Sequence, residues 1–179
     1  MKGIVFTEFL ELVEEKFGLK MADYIVSNSE LASNGVYTAV GTYDYKEIFT
    51  LVQILSKEVN IETSELMIIY GKHFFKRLMF HYPTFFEGQS LFSLLGSIDN
   101  HIHVEVQKLY PDAELPKFEH EFINDKHMRL TYTSERKMSD FAEGLVLSAM
   151  GHFNIQGSMN SKVLDKSGKV VEFEIVIDE

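Results

Sequence analysis

The spacing of apolar residues changes along this chain, and that change limits the folds open to it. Over about the first two thirds, apolar side chains recur every three to four residues, which is typical of amphipathic helices. After Pro111 the apolar residues alternate over short segments, which favours strands. The sequence therefore predicts an α+β fold, a helical N-terminal part followed by an antiparallel sheet with one helix inserted.

The bounds of the expected elements follow from this pattern. We expect helices over residues 5–16, 21–31, 45–59, 63–82, 89–110 and 138–153, and strands over residues 117–123, 128–132, 154–164 and 169–177. Gly18 is placed to end the first helix, because glycine readily adopts the backbone conformation found there. Turns are expected at Ser33-Asn34-Gly35, at Asn124-Asp125-Lys126 and, as a hairpin, at Asp165-Lys166-Ser167-Gly168.

Composition narrows the function classes. The 179 residues suit one domain, and 27 acidic against 17 basic residues give a formal net charge of −10. Such an acidic surface repels phosphate groups, so we expect no binding to nucleic acid or to an anionic membrane. The chain has no cysteine, which removes disulfides, thiolate chemistry and covalent attachment of c-type haem. No apolar run approaches a membrane span, so we expect a cytoplasmic protein.

Two of the seven histidines, His101 and His103, lie in the strongly apolar helix expected over residues 89–110. On a regular helix they fall on opposite flanks of the apolar stripe, so periodicity does not choose between them. His103 shares its flank with Phe92 and Gly96, where a flat apolar cofactor could lie against the helix. His101 is expected in solvent. A lone histidine is more often structural than a ligand.

A second polar group, Tyr132, Ser134 and Arg136, occupies alternate positions. If this segment is extended, the three side chains face one way over roughly 13 Å. Two hydroxyls and a guanidinium can bind carboxylates, although a strand end with a surface arginine is the commoner explanation. Combined with a histidine on an apolar flank, the set suggests a flat apolar ligand with carboxylate arms and a metal that takes one imidazole. Haem meets that description.

With these motifs the chain resembles the H-NOX (haem-nitric oxide/oxygen binding) family, the bacterial relatives of the haem domain of soluble guanylate cyclase. The resemblance covers essentially the whole chain. It rests on the segments Met1-Lys2-Gly3-Ile4, Tyr82-Pro83, Ile98-Asp99-Asn100-His101-Ile102-His103, Tyr110-Pro111, Leu115-Pro116, Tyr132-x-Ser134-x-Arg136 and Ala142-Glu143-Gly144-Leu145. It implies one sensor domain over residues 1–179, with haem b buried between the helical part and the sheet.

The resemblance also implies residue roles. His103 would be the iron ligand, Tyr132, Ser134 and Arg136 would hold the haem propionates, and Pro116 would press on the porphyrin. The gas-binding side would be formed by apolar residues, namely Val5, Phe9, Phe74, Leu78, Phe141 and Leu145. Oxygen-binding members carry a tyrosine where this chain has Phe141. We therefore expect binding of nitric oxide and carbon monoxide but not of dioxygen, which gains more from a hydrogen-bond donor.

The output implied by the resemblance is signalling rather than catalysis. Nitric oxide weakens the bond opposite to it, so the iron–His103 bond is expected to lengthen or break. The change would pass to a separate protein, a histidine kinase or a cyclic-di-GMP synthase or hydrolase. The residues alone leave an alternative open, a haem-free small-molecule-binding or dimerising adaptor in which Tyr132 and Arg136 receive another carboxylate.

Overall fold

The elements of the fold follow the change of period in the sequence. The computed structural model describes residues 1–178. Its α-helices are α1 (Ile4–Phe17), α2 (Leu19–Ser27), α3 (Lys46–Val59), α4 (Thr63–His81), α5 (Leu91–Gly96), α6 (His103–Leu109) and α7 (Ser139–His152). Its strands are β1 (Lys117–Asn124), β2 (His127–Thr133), β3 (Gly157–Val163) and β4 (Val170–Ile177). The predicted α+β class is confirmed, and α7 is the predicted helix inserted between strands.

The four strands form one antiparallel sheet in the order β1-β2-β4-β3. In β2 and β4 the side chains alternate between buried and half-buried positions, as the apolar alternation predicted. Met128, Leu130 and Phe173 are among the buried residues, and they share one core with Ala142 and Val146 of α7. One face of the sheet is therefore covered by α7.

A second core is formed by the N-terminal helices, and the two cores meet where α4 crosses α7. Leu145 of α7 packs against both cores. The helices approach closely because two glycines face one another at the crossing. A Cβ atom at Gly71 would lie 2.1 Å from the carbonyl oxygen of Phe141, and one at Gly144 would lie 2.2 Å from that of Ile68. Any larger residue would push the two helices apart.

The single helix predicted over residues 89–110 is wrong. α5 ends at Gly96, a π-helical segment follows over Ile98–Ile102, and α6 begins at His103. In the wide turn the amide of Ile102 donates to the carbonyl of Ser97 at 3.2 Å. A π turn holds one more residue than an α turn, so the side chains that follow are rotated from their places on a regular helix.

The predicted turns agree with the structure, and one helix is shorter than expected. Gly18 ends α1 with a positive φ of 87°. It also starts α2, which begins two residues earlier than predicted and ends at Ser27 rather than at 31. Asn34 and Gly35 have positive φ values of 52° and 73°, as expected in a turn. None of the described helices has both the length and the apolar character to cross a membrane.

Candidate functional site

A large cavity lies between the two cores. Its empty space amounts to about 1610 Å³, including the part open to solvent. The lining comes from α1, α4 and α7 on the helical side, and from the segment 94–118 and the end of β2 on the other. It includes these predicted site residues: Val5, Phe74, Leu78, His103, Pro116, Tyr132, Ser134, Arg136, Phe141 and Leu145. Residues far apart in the sequence therefore meet around one space.

Phe9 is the one predicted site residue that does not line the cavity among the described residues. It is buried in the N-terminal core, with its ring centroid 5.2 Å from that of Tyr70. The apolar spacing of α1 could not separate a residue behind the wall from one in it, because both face inwards.

His103 begins α6 and lines the cavity, with its side chain 17% exposed. Its Nδ1 atom lies 2.8 Å from Oδ1 of Asp99. Because an ionised carboxylate only accepts hydrogen bonds, Nδ1 carries the proton and Nε2 keeps its lone pair. The ring can therefore offer Nε2 to a metal, as ligating histidines do when a carboxylate holds their other nitrogen.

The charge state of His103 suits the same role. Burial lowers the pKa of His103, while the neighbouring Asp99 carboxylate acts in the opposite direction. Since burial is the larger effect, the imidazole is neutral at neutral pH. The neutral form is the one that binds metals.

The structure distinguishes His103 from His101, but the reason differs from the predicted one. His101 is exposed, as expected, and His103 faces the cavity. However, Gly96 does not leave room for a cofactor. A Cβ atom at Gly96 would lie 3.1 Å from the ring of Phe122 and 3.4 Å from that of His120, so this glycine lets α5 pack against β1.

Tyr132, Ser134 and Arg136 meet at the cavity, although not as alternate residues of one strand. β2 ends at Thr133, and the chain then turns through Ser134 to Lys137, which has a positive φ of 53°. The hydroxyl of Ser134 accepts a hydrogen bond from the amide of Arg136 at 3.1 Å. The extended geometry expected for this motif is therefore wrong, because the turn leading into α7 replaces it.

These three side chains keep donors for a carboxylate ligand. The Tyr132 hydroxyl accepts from the amide of Met138 at 2.9 Å, and burial raises the pKa of this phenol, so its proton stays available. Arg136 donates to the main-chain oxygen of Glu114 at 2.9 Å and to its carboxylate at 2.8 Å. A guanidinium has five N–H groups, so three remain.

The cavity is apolar on its helical side. Among the described residues, those that line it from within α1, α4 and α7 are all apolar: Ile4, Val5, Phe74, Phe75, Leu78, Phe141, Ala142, Leu145, Val146 and Ala149. The rings of Phe74 and Phe141 meet edge to face at 5.4 Å. Two phenols, Tyr82 and Tyr110, also border the cavity, but they lie at the ends of α4 and α6.

Sequence reasoning missed three residues that shape this site. Asp99 holds His103, and its spacing of four residues before His103 is a signal that could have found it. Glu114 pairs with Arg136 from a loop 22 residues away, and nothing local marks it. Tyr70 lies behind the cavity wall, and the helical pattern marks it simply as core.

The residues present fit a haem group. One imidazole with a lone pair on Nε2 can ligate iron, and the apolar cavity can receive a porphyrin. The hydroxyls of Tyr132 and Ser134 and the remaining N–H groups of Arg136 at the same cavity can donate hydrogen bonds to propionates, and the guanidinium supplies one positive charge.

Comparison with known proteins agrees with this fit. The family model described as Haem-NO-binding matches residues 2–161. The Fe(II) unliganded H-NOX protein from K. algicida is 43% identical, with a TM-score of 0.93, and the match covers 100% of this chain and 97% of that one. The IWP-051-bound H-NOX from Shewanella woodyi in the Fe(II)CO state is 39% identical over 98% of this chain and 94% of that one, with a TM-score of 0.83.

A more distant structure supports the fold alone. The H-NOX protein from S. oneidensis in the Fe(II)NO state is 24% identical and has a TM-score of 0.91, with both chains covered completely. No curated protein matches the chain.

Fold and site together place this chain in the class of haem-based gas-sensor domains. The chain belongs to the H-NOX family, as its sequence motifs predicted.

Proposed function

We propose that this protein is a nitric oxide sensor whose ferrous haem binds nitric oxide and carbon monoxide but forms no stable complex with dioxygen. One observation carries the proposal. His103, held by Asp99, faces the same cavity as an entirely apolar set of side chains from α1, α4 and α7. The chain thus offers iron one imidazole, and offers a diatomic ligand no hydrogen-bond donor from these helices.

The proposed cofactor is haem b, held without a covalent bond. The sequence has no cysteine to form a thioether link. Tyr132, Ser134 and Arg136 bind the propionates, because their remaining donors lie at the cavity. Pro116 borders the cavity from the loop after α6, where it would press on the porphyrin.

Selectivity against dioxygen follows from the residue at position 141. Bound dioxygen carries partial negative charge, and a donor in an apolar pocket stabilises it by about 1–3 kcal/mol. Phe141 lines the cavity and has no proton to donate. Nitric oxide gains little from such a donor. The absence of a donor therefore weakens the binding of dioxygen much more than that of nitric oxide.

Transmission of the signal depends on how α6 is held. If haem is bound, His103 would hold its iron, and that iron would supply the binding site for nitric oxide. Loss of that hold on His103 would free α6, a helix of seven residues on which Val104 and Leu109 are already exposed. Two links would pass such a movement on: Asp99 is bonded both to His103 and to the amide of Phe118 in β1, and the loop over residues 110–116 continues from α6. A ligand shifts such an equilibrium only by its different affinities for the two states.

The proposed receiver is a separate protein, a histidine kinase or a cyclic-di-GMP synthase or hydrolase, with residues 1–179 acting as the sensor domain. The proposal includes no enzymatic activity, no nucleic-acid binding and no membrane binding, in keeping with the acidic charge of −10.

Replacement of His103 by glycine, with imidazole added, tests the proposal. Reduced His103→Gly protein should show a five-coordinate ferrous spectrum only with imidazole present. Nitric oxide should raise amide exchange over residues 98–110 in the natural protein but not in the imidazole-loaded variant, where the ligand leaves without the helix. His101→Gly is the control and should behave like the natural protein. An equal rise in both proteins, or a colourless protein after haem reconstitution, would refute the proposal, and the colourless result would favour the adaptor.

A further inference from the structure

Tyr70 lies in the middle of α4, behind the wall that faces the cavity. It is fully buried and is not among the cavity-lining residues. Its ring centroid lies 5.2 Å from that of Phe9, 5.9 Å from that of Phe74 and 4.8 Å from that of Phe141. One ring therefore supports aromatic residues from α1, α4 and α7 together.

The hydroxyl of Tyr70 forms a hydrogen bond with a fourth residue of this region. It donates to the main-chain carbonyl of Val5 in the first turn of α1. Val5, Phe74 and Phe141 all line the cavity. A buried hydroxyl without a partner is costly, so the bond to Val5 keeps the phenol turned towards α1. Burial also raises the pKa of Tyr70 well above its ordinary value, so the phenol keeps its proton.

We propose that Tyr70 is a positioning residue, which fixes Val5, Phe74 and Phe141 and so sets how readily a diatomic ligand reaches the iron. The inference rests on the proposed function for its haem. Tyr70 acts through its neighbours rather than by touching the ligand, because its single proton is bound to the Val5 carbonyl. The packed interior passes a change at Tyr70 on to the wall, since close-packed cores transmit strain.

The test compares Tyr70→Phe, which removes one oxygen atom, with Tyr37→Phe. Tyr37 is the matched control because its hydroxyl also serves a buried partner, donating to Glu47 at 2.7 Å, and its ring stacks on Phe6 at 4.5 Å in the same core. Tyr37 does not line the cavity. Both variants should lower thermal stability, so stability alone does not discriminate between them.

Association of carbon monoxide after flash photolysis gives the first readout. In the haem-loaded full chain, Tyr70→Phe should change the association rate by about threefold or more, because small misplacements near a reaction centre have large kinetic effects. The C–O stretching frequency should stay the same, since no donor to the ligand is lost. Tyr37→Phe should change neither quantity. An unchanged rate in Tyr70→Phe would overturn the proposal, and so would a shifted C–O frequency, which would make Tyr70 a direct donor.

Val5→Ala provides an independent check by a double-mutant cycle. If Tyr70 acts through Val5, Tyr70→Phe changes the association rate less in the Val5→Ala background than in the natural protein. If each substitution instead changes the association rate by the same factor in both backgrounds, Tyr70 does not act through Val5.

Amide exchange distinguishes failure of this inference from failure of the proposed function. In the purified chain without added gas, Tyr70→Phe should speed exchange over residues 4–9, and Tyr37→Phe should not. This readout does not depend on the ligand chemistry of haem. A chain that binds no haem would refute the proposed function while the exchange result still decides whether Tyr70 holds α1.

Discussion

Asp99 connects the predicted iron ligand to the sheet. One carboxylate oxygen holds Nδ1 of His103 at 2.8 Å, and the other accepts from the amide of Phe118 in β1 at 3.0 Å. The ring of Phe118 also lies 5.9 Å from that of His103. The imidazole is thus oriented by two contacts, one polar and one aromatic, before any cofactor binds.

Removal of this carboxylate should weaken cofactor retention. In Asp99→Ala we expect haem to dissociate roughly 10–100 times faster, the usual effect of losing the partner of a ligating histidine. Transfer of haem to an excess of apomyoglobin measures the rate. Glu105→Ala is the control, because Glu105 pairs with Lys108 instead of with the site. Equal rates for both variants would show that Asp99 does not support His103.

Single residues of the site were predictable to different degrees. The side-chain chemistry of His103 and of the triad of Tyr132, Ser134 and Arg136 suggested a site, but periodicity did not choose between His101 and His103. The predicted roles of these residues came from the family resemblance. The geometry that unites the triad was not predictable, because the turn after Thr133 depends on the hydrogen bond between the Ser134 amide and Lys169 of a distant loop. Glu114 and Tyr70 act through contacts that exist only after folding.

At the level of elements, the crossing of α4 and α7 determines how Phe141 is presented. The two backbones touch at Gly71 and Gly144, where an added Cβ atom would overlap main-chain atoms. Backbone atoms cannot turn aside as a flexible side chain can, so a larger residue must move a helix.

Substitution by alanine should therefore affect the free energy of unfolding differently at the two glycines of α7. Gly144→Ala should lower the free energy of unfolding by about 1–3 kcal/mol, the usual cost of overpacking. Gly151→Ala should be neutral or stabilise by up to ~1 kcal/mol, because nothing lies within 4 Å of its Cβ position and alanine favours helix. Urea unfolding of both variants measures the difference, and equal effects would contradict the close contact seen at Gly144.

The β3–β4 hairpin contains a carboxylate that organises its loop. Asp165 accepts from the amides of Ser167 at 3.1 Å and Val170 at 2.8 Å, and from the hydroxyl of Ser167. These bonds, above all the one from the Ser167 hydroxyl, lower the pKa of Asp165 from 3.8 to about 2. The ionised form is thus preferred in the folded state, so its contribution to stability is present above pH 3.8 and is lost as the pH falls to about 2.

Asp165→Asn should consequently melt below the natural protein at pH 7, and the gap should close as the pH falls from about 4 to about 2. Thermal unfolding across this range gives the measurement. Asp125→Asn, at an exposed position in the β1–β2 turn, is the matched control for removal of one carboxylate and should melt close to the natural protein at pH 7. A gap of constant size in Asp165→Asn would mean that the charge of Asp165 does not stabilise the loop.

Most elements were predictable because their apolar period is strong, and the exception has a tertiary cause. The helix expected over residues 89–110 breaks after Gly96, where α5 packs against Phe122 and His120 of β1. The apolar spacing of this segment suits one helix, and the packing partner is known only from the fold. The broken helix matters for function, since its last part carries His103.

For the whole molecule, a small polar cluster joins the start of the chain to the segment after α6. The ammonium of Lys2 lies 3.0 Å from Asp112, and the hydroxyl of Thr42 donates to the same carboxylate at 2.7 Å. Lys2 also lies 5.3 Å from the centre of the Tyr110 ring. Lys2 lies two residues before α1, so this cluster links the start of α1 and the loop that contains Thr42 to the segment that follows α6.

The absorption spectrum of the reduced protein, recorded in air and then with nitric oxide, tests the central claim most directly. We expect a Soret band of five-coordinate ferrous haem that does not take the form of an oxygen complex in air and that shifts when nitric oxide is added. His103→Ala should lose the five-coordinate band. A stable ferrous–oxygen spectrum in air, or an unchanged iron spectrum in His103→Ala, would contradict the account.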